Sequence, residues 1–164
     1  MMLMPLALYV VLGMSLTSCS NDDEPEVKMS ISEEYSGTYN GKITLNVAGK
    51  YSYDADITCV VTSAGSDVIN VSIPEYSLSG TMMGDMTLGS VSITGLVYDE
   101  AKGCFFREYG GEGISQTMNG KSYPLNEPSS MQVVKDENGT LVIDNPFTLG
   151  KMPLPLSARF VGSK

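Results

Sequence analysis

The segment from Gly41 to Val61, GKITLNVAGKYSYDADITCVV, decides the fold of this chain. Apolar and polar residues alternate on both sides of Ala48-Gly49-Lys50, as in Ile43-Thr44-Leu45 and Ile57-Thr58-Cys59. A period of two indicates half-buried β-strands, because successive side chains of a strand point to opposite faces. The short connection predicts that the two strands pair antiparallel as a hairpin. The segment therefore predicts a fold built from neighbouring hairpins.

The same alternation continues toward the C-terminus. A strand predicted from Asp85 to Val97 changes phase at Gly89, as a β-bulge would make it. Asn119-Gly120 and Asn138-Gly139 each separate two alternating segments, and Asn-Gly is the strongest short-range hairpin signal. Eight or nine strands result, and no segment has a helical period. The sequence thus predicts an all-β domain.

Successive strands joined by short turns favour an up-and-down arrangement. Eight such strands close most economically into a barrel, because closure leaves no exposed edge strand. A sandwich is the alternative arrangement for the same elements. We therefore predict a single antiparallel eight-stranded up-and-down barrel over residues 35–164.

Five short segments share a pattern of strands and turns: Tyr35-Ser36-Gly37, Val71–Gly80, Met83–Thr87, Val91–Gly95 and Arg159–Gly162. Together they resemble the calycin-like β-barrel domain of lipoproteins secreted by Gram-negative gut bacteria. The resemblance spans about residues 35–162 and implies a lipocalin-like barrel. Lipocalins proper carry Gly-x-Trp in the first strand, whereas this chain has no tryptophan. No lipocalin ligand residue is therefore carried over to this sequence.

The N-terminal segment predicts export and lipidation. Its first 18 residues, MMLMPLALYVVLGMSLTS, carry no charge, and an apolar run that ends in small residues is typical of an exported precursor. Leu16-Thr17-Ser18-Cys19 resembles a bacterial lipobox, which implies cleavage after Ser18 and a lipid anchor on Cys19. No Lys or Arg precedes the apolar run, and an uncleaved transmembrane anchor is the alternative. We predict a lipoprotein signal peptide over residues 1–18.

Residues 19–34 are predicted to form a lipidated acidic tether. The stretch SNDDEPEVKMSISEE holds six acidic residues and one lysine, too few apolar groups to fold, so it is expected to be a solvated spacer. The acidic run Asp22-Asp23-Glu24 resembles the surface-export signal of lipoproteins from one phylum of Gram-negative gut bacteria, with an ordinary charged linker as the alternative. The expected location is the outer membrane, exposed at the cell surface or facing the periplasm.

Composition excludes most catalytic chemistry. The chain has no histidine, which removes Ser-His-Asp and Cys-His machinery and every His-ligated metal site. Its net charge of −9 has the wrong sign for binding nucleic acid. Asp54 and Asp56 share one strand face and could flank a glycosidic bond, but solvation of a strand explains them more simply. Residues 136–138 lack the ligand spacing of a calcium loop. We predict a protein without enzymatic activity, cofactor or metal.

Two cysteines, Cys59 and Cys104, remain in the predicted domain. A disulfide between them would be permitted in an exported protein. They belong to the second and fifth predicted strands, which are not neighbours in an up-and-down barrel, so their Cα atoms are expected to be too far apart for a bridge. Two unpaired thiols are the prediction, and a disulfide is the alternative.

Methionine is unusually frequent, and several methionines lie together. Met82, Met83 and Met86 follow Tyr76, and methionine adapts its shape to varied apolar partners. Core filling is the simpler explanation for such residues. The alternative, and our prediction for the site, is that Tyr76, Met82, Met83 and Met86 lie near a ligand-accepting end of the barrel.

Two classes of function stay open at this point. The first is a membrane-anchored binding module for a small apolar molecule, or for a lipidic or glycan fragment. The second is a filled barrel that docks another protein of the envelope or the host, or that serves as a structural component of the cell envelope. A deep apolar cavity would favour the ligand, and an exposed apolar surface would favour docking.

Overall fold

The structure, a computed structural model, describes residues 27–164. The elements in chain order are α1 Ile31–Tyr35, β1 Gly37–Val47, β2 Tyr51–Gly65, β3 Val68–Ile73, β4 Tyr76–Thr81, β5 Gly84–Leu88, β6 Val91–Asp99, β7 Cys104–Glu108, β8 Ser115–Met118, β9 Lys121–Asn126, β10 Ser130–Lys135, β11 Leu141–Leu149 and β12 Leu156–Ser163. The predicted signal peptide, Cys19 and the first part of the tether lie outside the described residues. Within residues 27–164, no helix is long and apolar enough to cross a membrane.

Eight strands form the wall of a closed barrel. These are β1, β2, β3, β6, β7, β10, β11 and β12. Each pairs antiparallel with the next strand in this list. β12 also pairs with β1, with Ile43 opposite Phe160, so the ring closes. The prediction of a single antiparallel eight-stranded up-and-down barrel is therefore confirmed.

Alternate residues of the wall strands fill the barrel interior. Ile43 on β1 lies opposite Phe160 on β12, which lies opposite Ile143 on β11. The next inward position along β1 is Leu45, opposite Ala158. All five side chains are buried, and burying one large aliphatic or aromatic side chain contributes about 1.5–3 kcal/mol. The apolar residues that give the sequence its period of two thus form the core of the barrel.

Two facing glycines let β1 and β12 approach each other closely. A Cβ atom at Gly162 would lie 2.4 Å from Cζ of Phe160 and 2.7 Å from the carbonyl oxygen of Asn40. At Gly41, opposite Gly162, a Cβ atom would lie 2.1 Å from the carbonyl oxygen of Val161. No side chain fits at either position, so both glycines are required for this packing.

One polar pair is buried among these apolar side chains. The hydroxyl of Tyr109, just after β7, donates a hydrogen bond to Oδ1 of Asn145 on β11. Both residues are buried. Burial raises the pKa of Tyr109, so its phenol remains a protonated donor at neutral pH. The pair satisfies two groups that would otherwise be costly to bury.

α1 closes one end of the barrel, which we call the helix end. The Ser30 side chain accepts a hydrogen bond from the Glu33 backbone, and the Glu33 carboxylate accepts one from the Ser30 backbone at 2.8 Å. This capping box satisfies two backbone donors at the start of the helix. The hydroxyls of Ser32 and Ser63 are 2.7 Å apart, which holds the helix against β2. The prediction that residues 20–34 form only a solvated spacer is therefore wrong for residues 31–34.

Tyr35 closes the helix end as a plug. Its ring packs edge-on against Phe105 with the ring centroids 4.9 Å apart. Its hydroxyl accepts a hydrogen bond from the backbone N–H of Lys135, and its carbonyl oxygen accepts one from the hydroxyl of Tyr39. Residues of β1, β7 and β10 thus all contact this one buried tyrosine.

The remaining four strands form a lid over the opposite end, which we call the lid end. The hairpins β4–β5 and β8–β9 meet where Leu88 lies opposite Met118, and β9 joins the barrel wall at β11. The backbone N–H of Gly89 donates to the carbonyl oxygen of Thr117 at 2.8 Å. This bond separates β5 from β6, so the prediction of one bulged strand from Asp85 to Val97 is wrong.

Cys59 and Cys104 are both free thiols and both buried. They lie on β2 and β7, with β3 and β6 between these strands in the wall. The prediction of two unpaired thiols is confirmed. Burial raises the pKa of Cys59 to about 12, so this thiol is protonated and unreactive at neutral pH.

Candidate functional site

The four residues predicted at the ligand-accepting end lie on one hairpin of the lid. Tyr76 is on β4, Met86 is on β5, and Met82 and Met83 are in the turn between them. The structure thus brings all four to one end of the barrel. It also divides them into two pairs with different environments. Tyr76 and Met86 are 8% and 2% exposed, whereas Met82 and Met83 are 51% and 40% exposed.

The buried pair belongs to the inner face of the lid. Tyr76 lies opposite Leu88, and Leu78 lies opposite Met86, so these four side chains share one face of the hairpin. All four belong to the same buried core as the barrel interior. The buried side chain of Gln116 adds a polar contact to the lid, because its Nε2 donates to the carbonyl oxygen of Gly89 at 2.6 Å. The lid is therefore packed onto the barrel.

Side chains occupy the space in which a lipocalin-like barrel would hold a ligand. The buried core runs without interruption from Tyr35 at the helix end, through Leu45, to Met86 under the lid. Inward side chains such as Ile43, Leu45 and Ile143 have no exposed area, and three clefts on residues 27–164 are lined by residues of the outer surface and the loops. This arrangement is a filled barrel, one of the two arrangements that eight strands permit.

The exposed pair lies beside Tyr53 of β2, which is partly buried, and we call Tyr51, Tyr53, Met82 and Met83 the tip surface. The backbone N–H of Met82 donates to the hydroxyl of Tyr53 at 2.8 Å, which joins the lid turn to β2. Tyr51 is 38% exposed, and the ammonium group of Lys50 lies 5.4 Å from the centre of its ring. The tip surface therefore presents aromatic and thioether groups to solvent.

An acidic cleft of about 390 Å³ lies elsewhere on the surface, between the β7–β8 and β9–β10 connections. Glu108, Glu112 and Glu127 line it, and Glu112 forms an ion pair with Arg107. Sequence reasoning missed this cleft because Glu127, from the β9–β10 connection, meets Glu108 and Glu112 only in the folded chain, and no local pattern joins them. Among the described residues, no group of three or more His, Cys, Asp or Glu is arranged to hold a metal ion.

Asp54 and Asp56 occupy successive positions on the same face of β2, as the alternation predicts. Asp54 accepts a hydrogen bond from the Thr44 hydroxyl at 2.7 Å and lies 4.0 Å from the Lys42 ammonium group. Both carboxylates are exposed to solvent. Neither has the buried, apolar surroundings that are typical of a general acid.

The buried phenol and thiol groups whose pKa values are shifted remain neutral at neutral pH. Burial raises the pKa of Tyr76, with a smaller contribution from Cys59. Burial likewise raises the pKa of Cys104. These phenol and thiol groups are protonated at neutral pH and are enclosed by the core. These groups therefore offer no activated nucleophile.

Comparison with known proteins identifies the family. The family model for the calycin-like beta-barrel domain matches residues 35–163. A protein of Bacteroides fragilis, provisionally named an outer membrane protein, has a similar solved structure, with a TM-score of 0.56 and 23% sequence identity. The match covers 83% of this chain and 53% of that protein, so this chain spans about half its length. No functionally curated protein matches the sequence. The closed eight-stranded barrel and the match over residues 35–163 show that this chain belongs to the calycin-like β-barrel domain family.

Proposed function

We propose that this protein is an exported, membrane-anchored lipoprotein whose filled barrel is a non-catalytic interaction module of the cell envelope. It docks a partner protein of the envelope or the host through the tip surface. One observation carries this proposal: the barrel interior is packed, while Met82 and Met83 are exposed at the end of the lid. Exposed apolar groups that lie together mark interaction surfaces more often than isolated ones do.

The place where the chain enters the barrel supports docking through the tip surface. α1 takes up the last residues of the predicted tether and closes the helix end, whereas the tip surface is at the lid end. A lipid on Cys19 would therefore hold the helix end nearer the membrane and leave the tip surface free to meet a partner. The acidic run after Cys19 supports a surface-exposed outer membrane location, and a periplasm-facing location is the alternative. The similar structure of the B. fragilis protein, which is named as an outer membrane protein, supports an envelope location for this chain.

A second candidate function is the binding of a small apolar or lipidic ligand, or of a glycan fragment, beneath the lid. The apolar inner face of the β4–β5 hairpin favours it, because Tyr76 and Met86 would line a cavity if the lid moved outward. In that case all four residues, Tyr76, Met82, Met83 and Met86, would contact or admit the ligand. The filled interior ranks this function second.

Site-specific cross-linking in cells tests the docking proposal. A photoreactive phenylalanine analogue at position 82 is expected to give one discrete adduct with another protein. The matched control carries the same group at Glu100, an exposed position in the β6–β7 turn at the helix end. An adduct that forms equally from both positions would contradict docking through the tip surface.

Binding of the apolar fluorescent probe N-phenyl-1-naphthylamine separates the two candidates. A filled barrel is expected to give no saturable fluorescence increase with the purified domain. Saturable binding that Met82→Lys weakens without loss of folding would replace docking with ligand binding.

Anchoring is tested at Cys19. Cys19→Ala is expected to move the protein from the membrane fraction to the soluble fraction. An intact mass of the mature protein without acyl groups on residue 19 would refute the lipoprotein assignment.

A further inference from the structure

Three lysines lie on the connections at the lid end, and we call them the lysine rim. Lys50 is in the β1–β2 turn, Lys121 is the first residue of β9, and Lys151 is in the β11–β12 connection. All three residues are exposed. None of them forms an ion pair with another described residue. The lid end therefore presents three ammonium groups without a carboxylate partner.

Cations on the barrel wall are engaged instead. The guanidinium group of Arg159 on β12 lies 3.1 Å from the carboxylate of Asp144 on β11. The ammonium group of Lys42 on β1 lies 4.0 Å from the carboxylate of Asp54 on β2. Carboxylates of the chain itself thus balance these two charges, whereas the charges of the lysine rim remain available to a partner.

Two lysines of the rim lie on neighbouring connections. Lys50 directly precedes Tyr51 of the tip surface, and its ammonium group lies 5.4 Å from the centre of the Tyr51 ring. In the same turn, the Ala48 N–H donates to the carbonyl oxygen of Pro155 at 2.8 Å. This bond joins the β1–β2 turn to the connection that carries Lys151.

The third lysine is linked to the tip surface through β5. Nδ2 of Asn119 donates to the carbonyl oxygen of Asp85 at 3.3 Å. Asp85 is two residues after Met83, and Lys121 is two residues after Asn119. The β4–β5 turn therefore contacts the strand that follows Lys50 and, through β5, the turn that precedes Lys121.

A group of acidic side chains lies on the opposite side of the barrel. Glu108, Glu112 and Glu127 line the cleft where β7 ends and β10 begins. In the closed wall, the pair of β7 and β10 lies opposite the pair of β1 and β2, with two strands between them in each direction. Asp85, near the tip surface, is engaged by the Gly80 N–H, which donates to its Oδ1 at 3.0 Å. Charge thus divides the lid end into a basic side and an acidic side.

We propose that the tip surface and the lysine rim together bind an acidic surface of a partner protein. Asp and Glu side chains of the partner face the lysines, and an apolar side chain meets Met82 and Met83. Complementary charge of this kind accelerates association and selects the partner. A standard interface takes about 20–30 residues from each side, which is enough to include these turns. The inference rests on the proposed function, because it names the chemistry of the partner that docks there.

The charge distribution argues against an anionic membrane as the occupant. A bilayer is a plane wider than the barrel, so docking of the lid end would bring the acidic side toward the same headgroups as the lysine rim. Like charges would then oppose the attraction of the lysines. A protein surface of limited area can cover the basic side alone.

The position of the methionines argues against a second copy of this chain. The acidic cleft of another copy could face the lysine rim by charge. Met82 and Met83 would then meet the carboxylates of Glu108, Glu112 and Glu127, and no apolar partner would cover them. An acidic surface with an apolar side chain at its centre satisfies both parts of the site.

The first experiment measures charge preference with labelled peptides. Fluorescein-labelled peptides with one central Phe between eight Glu, or between eight Ser, are titrated with the purified protein by fluorescence anisotropy. The Glu peptide is expected to bind and the Ser peptide is not. Because the whole chain has a net charge of −9, overall attraction cannot account for binding of the Glu peptide. Added salt is expected to weaken it.

Charge reversal tests the lysine rim. Lys50→Glu is expected to weaken binding of the Glu peptide about two- to fivefold, as for an exposed ion pair. Lys28→Glu makes the same change of charge at an exposed position just before α1 and is expected to leave binding unchanged.

The second experiment locates the contact. Amide NMR shifts on addition of the Glu peptide are expected at residues 49–52, 81–84 and 119–122. Replacing the central Phe of the peptide by Ser is expected to weaken binding to the wild type more than binding to Met82→Ser, because Phe and Met82 contact each other. Equal weakening would remove the apolar part of the proposal.

The remaining outcomes decide between occupants. No binding of the Glu peptide, an equal effect of Lys28→Glu, or shifts confined to the acidic cleft would overturn the inference. Binding to phosphatidylglycerol vesicles that Lys50→Glu abolishes would assign the surface to a membrane, and dimerisation that Lys50→Glu abolishes would assign it to a second copy. A discrete cross-link from position 82 without peptide binding would overturn this inference and leave the proposed function standing. Loss of that cross-link would remove the proposed function itself.

Discussion

The two ends of the barrel are closed in different ways. At the helix end, five residues of helix place one tyrosine over the core, and the hydroxyl and carbonyl oxygen of Tyr35 both accept hydrogen bonds. At the lid end, the four strands of two hairpins cover the core. The turn between β4 and β5 leaves Met82 and Met83 in solvent. The helix end thus gathers its contacts on one buried side chain, whereas the lid end leaves two apolar side chains exposed. In the proposed function, the end that the helix closes and the end that meets a partner are therefore different ends of the barrel.

The largest effect is expected from removing the plug at the helix end. Tyr35→Ala deletes a buried ring that contacts Phe105 and should lower the free energy of unfolding by about 3–5 kcal/mol, as for other buried aromatic residues. Urea denaturation followed by circular dichroism measures this change. Tyr35→Phe is the matched control, since it keeps the ring and loses only the hydroxyl that accepts from Lys135. A loss below 1 kcal/mol for the alanine variant would show that the helix end is not held by this plug.

The second prediction separates the inner face of the lid from its turn. Met86→Ala should lower the free energy of unfolding by about 2–5 kcal/mol, because it leaves a cavity in the core. Met82→Ala removes the same side chain from an exposed position and should change stability by less than about 0.5 kcal/mol. Thermal unfolding of both variants gives the comparison directly. Equal losses would mean that the turn also packs in solution and that the tip surface is not free.

A smaller effect is expected at the bond that holds the lid turn to β2. Tyr53→Phe removes the hydroxyl that accepts from the Met82 N–H and should cost about 0.5–1.5 kcal/mol locally. The expected result is faster hydrogen exchange at residues 81–84, with little change in the exchange of residues at the helix end. Unchanged exchange in the turn would indicate that β4 and β5 hold it without this bond.

The smallest effect is a pH dependence confined to the helix end. Hydrogen bonds from the backbone and side chain of Ser30 lower the pKa of Glu33 from its ordinary value of 4.5. A carboxylate with a lowered pKa in the folded state stabilises that state above its unfolded pKa, and the contribution is lost as the pH falls through the folded pKa. Between pH 6 and pH 3, Glu33→Gln should therefore lose less stability than the wild type. Parallel pH profiles of the two proteins would contradict the capping role.

The sequence predicts the barrel better than it predicts the two closures. Ile43, Leu45 and their alternating neighbours identify the wall strands, because burial on one face imposes a period of two on each strand. The helix is harder to predict. Ser30 and Glu33 form the S-x-x-E signature of a capping box, but the segment is short and acidic. Its contacts with Ser63 and Phe105 hold it in place, and these partners are distant in sequence.

The lid and the candidate surfaces depend on contacts that no local pattern contains. The alternation changes phase at Gly89, between Leu88 and Val91, and a bulge within one strand gives the same pattern as a break between two strands. The separation of β5 from β6 therefore becomes visible only when Gly89 bonds to Thr117. The alternation also could not show that Met86 is buried while Met82 is exposed. The point at which β3 stops pairing with β2, Val60, is likewise a property of the assembled wall.

The buried pair of Tyr109 and Asn145 has a consequence for how the strands find their alignment. If β11 slid by two residues along its neighbours, the inward faces would remain apolar, but Ile143 or Phe147 would replace Asn145 beside the Tyr109 hydroxyl. That hydroxyl would then lose its acceptor inside the core, at a cost of about 1–3 kcal/mol. Hydrophobic packing alone distinguishes such slipped states poorly, because a shift of two residues preserves the pattern. This hydrogen bond therefore favours the observed register over shifted registers that also keep apolar side chains facing inward.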